Sequence, residues 1–205
     1  YSKEKEIVIL SDGKTGHLRQ SEGVAKLISQ QLALREIQTN ISIQELKFRR
    51  SLLVFFLNSI VKLSGKYPRA GNSMRFLRYV LTEDSWKGLM RLRPDLVISA
   101  GSSSSAVNYF LARENQAKSV VLMRPANISV KKFDLVIIPR HDCPAGSSLV
   151  RKKNLLLTEG ALNLIDPEYL SQKIKSLEQS GLLKGHLLNP GIGVLIGGQS
   201  KRFTL

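Results

Sequence analysis

Ile7-Val8-Ile9-Leu10-Ser11-Asp12-Gly13-Lys14-Thr15-Gly16-His17 is the stretch that decides the fold of this 205-residue chain. Residues 7–10 are a short apolar run of the kind a buried strand makes. Beyond the glycines, Val24, Leu27, Ile28 and Leu32 recur at the spacing of one helix face, so the stretch predicts strand, glycine turn, helix. Gly13 and Gly16 let the backbone turn tightly and approach a ligand closely. The helix start offers unpaired N–H groups and a positive dipole end, which suit an anion. His17 is a candidate proton carrier near neutral pH; the plainer alternative is a structural turn with His17 as a solvated cap. Two nucleotide-binding signatures fail. A P-loop ending in Gly13-Lys14-Thr15 needs glycine where Val8 stands, and the dinucleotide pattern G-x-G-x-x-G is absent from the turn.

The same rhythm returns along the chain. Residues 95–99, 119–123, 134–138, 154–157 and 191–196 read as strands. Residues 75–93, 106–113 and 167–179 read as helices, the last with Pro167 in its first turn. Residues 41–48 read as a further strand with a slip near Gln44-Glu45. Short continuous apolar strands separated by helices predict an α/β fold: a Rossmann-like parallel sheet covered by helices on both faces. In such sheets ligands bind outside the carboxyl ends of the strands. Polar or glycine-rich clusters stand at each of those ends. The first carries Asp12, Gly13, Lys14, Gly16 and His17, and the next Ser99, Gly101 and Ser102. Arg124, Arg140 and His141 follow two later strands, and Thr158, Glu159 and Asn163 a third. Their agreement predicts one binding cleft.

Lys and Arg number 31 against 16 Asp and Glu, a net charge of +15. That excess implies an acidic partner: nucleic acid, an anionic lipid surface or a phosphorylated substrate. The basic residues lack the interleaved aromatics and the modules of nucleic-acid binders, so nucleic acid is the least expected of the three. Cys143 is the single cysteine, which rules out an internal disulfide and fits a reducing compartment. With His17, His141 and His186 the only histidines, no closed zinc site is expected.

Residues 52–63 are strongly apolar but too short and interrupted for a membrane span. Arg49, Arg50, Lys62, Lys66, Arg69, Arg75 and Arg78 bracket them. Such a segment can lie on an anionic bilayer; a buried helix with solvated ends is the plainer expectation. Residues 66–73 read as a loop. The start at Tyr1 is expected of a processed or trimmed product. Residues 1–185 are expected to form one Rossmann-like domain. Residues 186–205 are expected to hold a linker, then the first strand and glycine turn of a second, truncated domain; the alternative is that this strand completes the first sheet and the rest is a tail.

Six motifs carry a resemblance. They are Ser11-Asp12-Gly13-Lys14-x-Gly16-His17-x-x-Gln20-Ser21, Val97-Ile98-Ser99-Ala100-Gly101, Phe133-Asp134-Leu135-Val136, Pro139-x-His141-Asp142, Thr158-x-Gly160-Ala161-Leu162-Asn163 and Gly197-Gly198-x-Ser200-Lys201-Arg202-Phe203. In this order they resemble the mitochondrial fission ELM family across almost the whole chain. Thr15, Arg19 and much of residues 46–93 depart from the family pattern. Bacterial members are regarded as glycosyltransferases similar to the GT-B class, in which two Rossmann-like domains face a cleft. The resemblance therefore implies a GT-B N-terminal domain and transfer of a sugar from a nucleotide-sugar to a lipid-linked or lipopolysaccharide-type acceptor. The work would be done at the cytoplasmic face of a bacterial inner membrane, without a metal or further cofactor. His17 would serve as general base or orient the acceptor, with Asp12 the competing base. The strand-end residues would hold substrate. Gly197, Gly198, Ser200, Lys201 and Arg202 would hold the donor diphosphate. The alternative is a non-catalytic membrane adaptor, as the plant members are in mitochondrial fission.

Overall fold

The structure, a computed structural model, describes residues 4–64, 73–143 and 152–181. Among them six strands form one parallel sheet in the order β2-β1-β3-β4-β5-β6. They are β1 (Lys5–Ser11), β2 (Thr39–Glu45), β3 (Leu96–Ala100), β4 (Lys118–Leu122), β5 (Leu135–Pro139) and β6 (Leu155–Thr158). The helices are α1 (Thr15–Ala33), α2 (Ser51–Leu63), α3 (Ser73–Val80), α4 (Glu83–Arg91), α5 (Ser102–Glu114) and α6 (Pro167–Gln179), with single 3₁₀ turns at Val130–Lys132 and Arg140–Asp142. The described chain divides into two units, Tyr1–Leu164 and Ile165–Leu205. In the second, α6 spans the residues predicted and Asp166 caps it by accepting from the Tyr169 amide at 2.7 Å.

Alternation along the strands builds two apolar layers. Ile7, Ile9, Ile98 and Val120 face α1 with Val24 and Ala25. Val8, Leu10, Val97, Val121 and Val136 face the other side with α5 and residues of α2, α3 and α4. Both faces of the central strands are buried, which is why they read as unbroken apolar runs. The predicted Rossmann-like parallel sheet with helices on both faces is the architecture found.

Three local predictions differ from the structure, each for a tertiary reason. Residues 75–93 are two helices. Leu81 pairs with Phe48 in an antiparallel bridge and the Thr82 amide donates to the Lys47 carbonyl, which pulls the chain out of helix between them. The second strand ends at Glu45 because the chain then turns to make that bridge. As an edge strand it leaves Ile41 and Ile43 exposed. The serine run after Gly101 is the first turn of α5, with the Ser104 and Ser105 hydroxyls donating to the carbonyls of Ala100 and Gly101.

The plain expectation of a buried α2 holds for one side only. Leu57 and Val61 are fully buried, whereas Leu52, Phe55, Phe56 and Leu63 are 71, 59, 59 and 84% exposed. The loop expected at residues 66–73, the domain boundary expected near residue 185 and the strand and glycine turn of residues 191–202 lie outside the described residues, Ser73 as the first residue of α3 apart.

Candidate functional site

Strand β1 leaves the sheet at Ser11, and Gly13 takes φ +81° to turn the chain into α1. Its amide donates to Ser11 Oγ at 3.2 Å and the Lys14 amide donates to Asp12 Oδ1 at 3.3 Å. This turn aims Asp12 inward. Its carboxylate is only 4% exposed and accepts from the Ser103 hydroxyl at 2.7 Å and from His17 Nδ1 at 3.0 and 3.1 Å. One carboxylate thus ties the end of β1 to the first turns of α1 and α5. Burial pushes the Asp12 carboxyl up, but the Ser103 hydrogen bond, the His17 ring and the Lys14 amide outweigh it and hold it below the ordinary 3.8. A carboxylate accepts only, so the ring nitrogen facing it carries the hydrogen, leaving Nε2 for another partner.

Gly101 makes the arrangement possible. It ends β3 at φ +78°, and a Cβ there would stand 2.6 Å from His17 Cε1. The imidazole occupies the space that any other residue would fill. The result is an open cavity of about 390 Å³ lined by Lys14, His17, Gly101, Ser102, Met123, Arg124 and Asp142. It lies beside the crevice between β1 and β3, where successive connections leave β1 in opposite directions, the expected ligand position in such sheets.

The sequence-predicted residues separate into groups. Lys14, His17, Gly101, Ser102 and Arg124 line this cavity, with Asp12 directly behind His17. Gly13 shapes the turn and Gly16 sits in the first turn of α1 with open space around it. Ser99 faces the core, where it accepts from Asn108 Nδ2 at 3.0 Å. His141 is exposed beside Asp142, at 3.8 Å. Thr158 donates to the Gly160 carbonyl, and Glu159 pairs with Arg140 at 2.8 Å in solvent. The Asn163 carbonyl lies 3.5 Å from where a Gly23 Cβ would be, halfway along α1. The end of β6 is three strands from β3, about 14 Å at ordinary strand spacing. Gly197, Gly198, Ser200, Lys201 and Arg202 lie outside the described residues. Sequence reasoning missed Ser103, Met123 and Asp142 as neighbours of His17. Ser103 was legible only as one of four serines after a strand-ending glycine.

Residues 15–205 match the family described as mitochondrial fission ELM1. The chain belongs to the mitochondrial fission ELM1 family. No curated protein and no solved structure matches it. For this ELM1-family chain the glycosyltransferase expectation is corrected, and with it the nucleotide-sugar and cell-envelope assignments. The matching family is described by mitochondrial fission and not by sugar transfer. Among the described residues no group of three or more His, Cys, Asp or Glu side chains is placed to hold a metal ion. The sheet is Rossmann-like, and no matching solved structure ties it to the GT-B class. Of the two functions implied by the sequence, the family description accords better with the non-catalytic adaptor.

Proposed function

We propose that this chain is a non-catalytic, membrane-associated adaptor of the mitochondrial-fission type, and that it meets an anionic membrane surface through the outward face of α2. The carrying observation is that face. Positions 52, 55, 56, 60 and 63 recur at i, i+3, i+4, i+8 and i+11, so Leu52, Phe55, Phe56, Ile60 and Leu63 share one side of the helix. All five are at least 40% exposed. Phe76 and the 73% exposed Tyr79 of α3 add to the exposed apolar surface of this part of the chain. Arg50, Lys62, Arg75 and Arg78 are exposed on the same two helices or at their ends.

An apolar face rimmed by cations fits a helix lying in the interface plane of an anionic bilayer. Among the described residues no helix is long and apolar enough to cross a membrane. Burying each exposed Phe or Leu side chain is worth about 1.5–3 kcal/mol, and each nearby Lys or Arg adds about 1 kcal/mol against anionic lipid. In an adaptor, Asp12, His17 and Ser103 act as a staple joining three elements of the sheet's ligand edge.

Co-sedimentation with vesicles of phosphatidylcholine containing 30 mol% phosphatidic acid tests the proposal. Phe55→Ser together with Phe56→Ser is expected to lower binding at least tenfold while leaving the melting temperature within about 2 °C, since both rings are solvent-exposed. His17→Ala is expected to bind vesicles like the wild type. Unchanged binding by the double phenylalanine variant would refute the docking face.

A further inference from the structure

A second cavity, about 600 Å³, lies where α2 ends. Lys62 of α2 forms part of its wall, and the connection from β4 to β5 forms the rest, including Arg124, Asn127 and Ser129. The two walls are fixed to each other, because the Lys132 ammonium donates to the Ser64 carbonyl at the end of α2. Arg124 lines this cavity and also the His17 cavity. The backbone on either side of it is held in the left-handed region, at Met123 (φ +67°) and Asn127 (φ +60°). The cation is therefore presented by a strained, defined loop.

The lining chemistry is one-sided. Lys62 and Arg124 contribute two charges, and among the described residues neither is paired with a carboxylate. Asn127 and Ser129 supply neutral hydrogen-bonding groups, and among the described residues no acidic side chain lines the cavity. Asp142 lines the His17 cavity and not this one. An Arg and a Lys converging with neutral donors suit a phosphate group. The source of that phosphate follows from the neighbour of Lys62: Leu63, 84% exposed, on the apolar face of α2.

Resting on the membrane reading of α2, we infer that the cavity between the end of α2 and the β4–β5 connection binds the phosphate headgroup of an anionic phospholipid whose acyl chains lie against α2. It turns a general affinity for negative surface into recognition of a headgroup.

The test uses the whole chain and vesicles of phosphatidylcholine with 30 mol% phosphatidic acid, with glycerol 3-phosphate as the soluble probe. Lys62→Gln with Arg124→Gln is compared with a charge-matched control, Lys26→Gln with Arg35→Gln, whose residues are exposed at α1 and its end on the opposite face of the sheet. Removing the two cavity cations is expected to weaken vesicle binding roughly thirtyfold, and the control pair less than threefold. Glycerol 3-phosphate is expected to compete with vesicles for the wild type and the control but not for the cavity variant.

Equal effects of the two pairs would overturn the headgroup site. If the Phe55/Phe56 variant had meanwhile lost binding, the membrane reading would stand without it. Retention of binding by the Phe55/Phe56 variant would remove the apolar face and the inference together. Tight calorimetric binding of glycerol 3-phosphate, lost in the cavity variant, by a wild-type chain that ignores vesicles would assign the cavity to a free organophosphate and overturn the lipid source.

Discussion

Gly101→Ala is expected to be among the costliest single-methyl additions in the described chain. Two terms contribute. Gly101 sits at φ +78°, ψ 175°, a region essentially reserved for glycine, so alanine there costs about 1–3 kcal/mol in backbone strain. The new Cβ would also stand 2.6 Å from Cε1 and 3.0 Å from Nδ1 of His17. The ring must swing away, which breaks its 3.0 Å hydrogen bond to the buried Asp12 carboxylate. A hydrogen bond to a charged group contributes about 1.5–3 kcal/mol. Together the loss is roughly 3–5 kcal/mol. With an m value of about 2 kcal/mol/M, the urea midpoint falls by about 2 M.

Gly16→Ala is the matched control, because it adds a methyl in the first turn of α1 with nothing within 4 Å and no positive φ. It is expected to be neutral or stabilising by about 0.5 kcal/mol. A double-mutant cycle separates the two terms: in a His17→Ala background the steric term vanishes and Gly101→Ala should cost only the backbone strain. A Gly101→Ala midpoint within about 0.3 M of the wild type would refute the account of how His17 is seated. An identical penalty with and without His17 would refute its steric half.

Asp12→Asn probes the staple by pH. A carboxyl held below its unfolded value stabilises the fold fully above 3.8 and loses that contribution as pH falls through the lower folded value. Thermal denaturation should therefore show the variant less stable near pH 7 and the gap narrowing below about pH 4; a constant gap from pH 7 to pH 3 would contradict the assignment. Asn108→Ala probes the core beneath the site. The fully buried Nδ2 donates to the Val97 carbonyl, Ser99 Oγ and the Val120 carbonyl. The two hydrogens of this amide are shared among three buried acceptors, and their loss costs about 2–4 kcal/mol. Calorimetry should show a melting temperature lower by about 5–15 °C, and an unchanged one would mean that these acceptors find other partners.

The sheet was legible because burial on both faces makes successive residues in the middles of β3, β4 and β5 apolar. Val97-Ile98, Val120-Val121 and Val136-Ile137 announce themselves without alternation. The break at Leu81 was not legible, because its cause is Phe48, 33 positions away in the chain. Strand-end position alone could not sort the polar residues either. Ser99 and Ser102 are three apart, yet the pleat turns Ser99 into the core while Ser102 opens onto the cavity. Glu159 stands at an equally polar strand end, but β6 is too far from the crevice to share it. Composition hid α2 most completely. Leu57 and Phe56 are adjacent and both apolar, yet one is fully buried and the other 59% exposed. Periodicity marks a helix with one apolar stripe; it cannot assign two apolar stripes to two different surroundings.

That two-sidedness bears on the charge as well. A net charge of +15 opposes compaction through self-repulsion, and an apolar face of several large side chains promotes association. Each is a liability alone, and an anionic bilayer relieves both at once. On the proposed membrane reading, the long-range positive field would draw the chain to the surface over about a Debye length, and the apolar contact of α2 would then hold it there. On the same reading, the parallel sheet would be the platform that presents a binding surface from the membrane. α2 is packed through Leu57 and Val61 onto the same core that buries α5, and Asp12 binds the start of α5 to β1 and α1. On that reading, an orientation fixed at α2 would be carried through this packing to the β1–β3 crevice. The His17 cavity and the proposed headgroup cavity share Arg124.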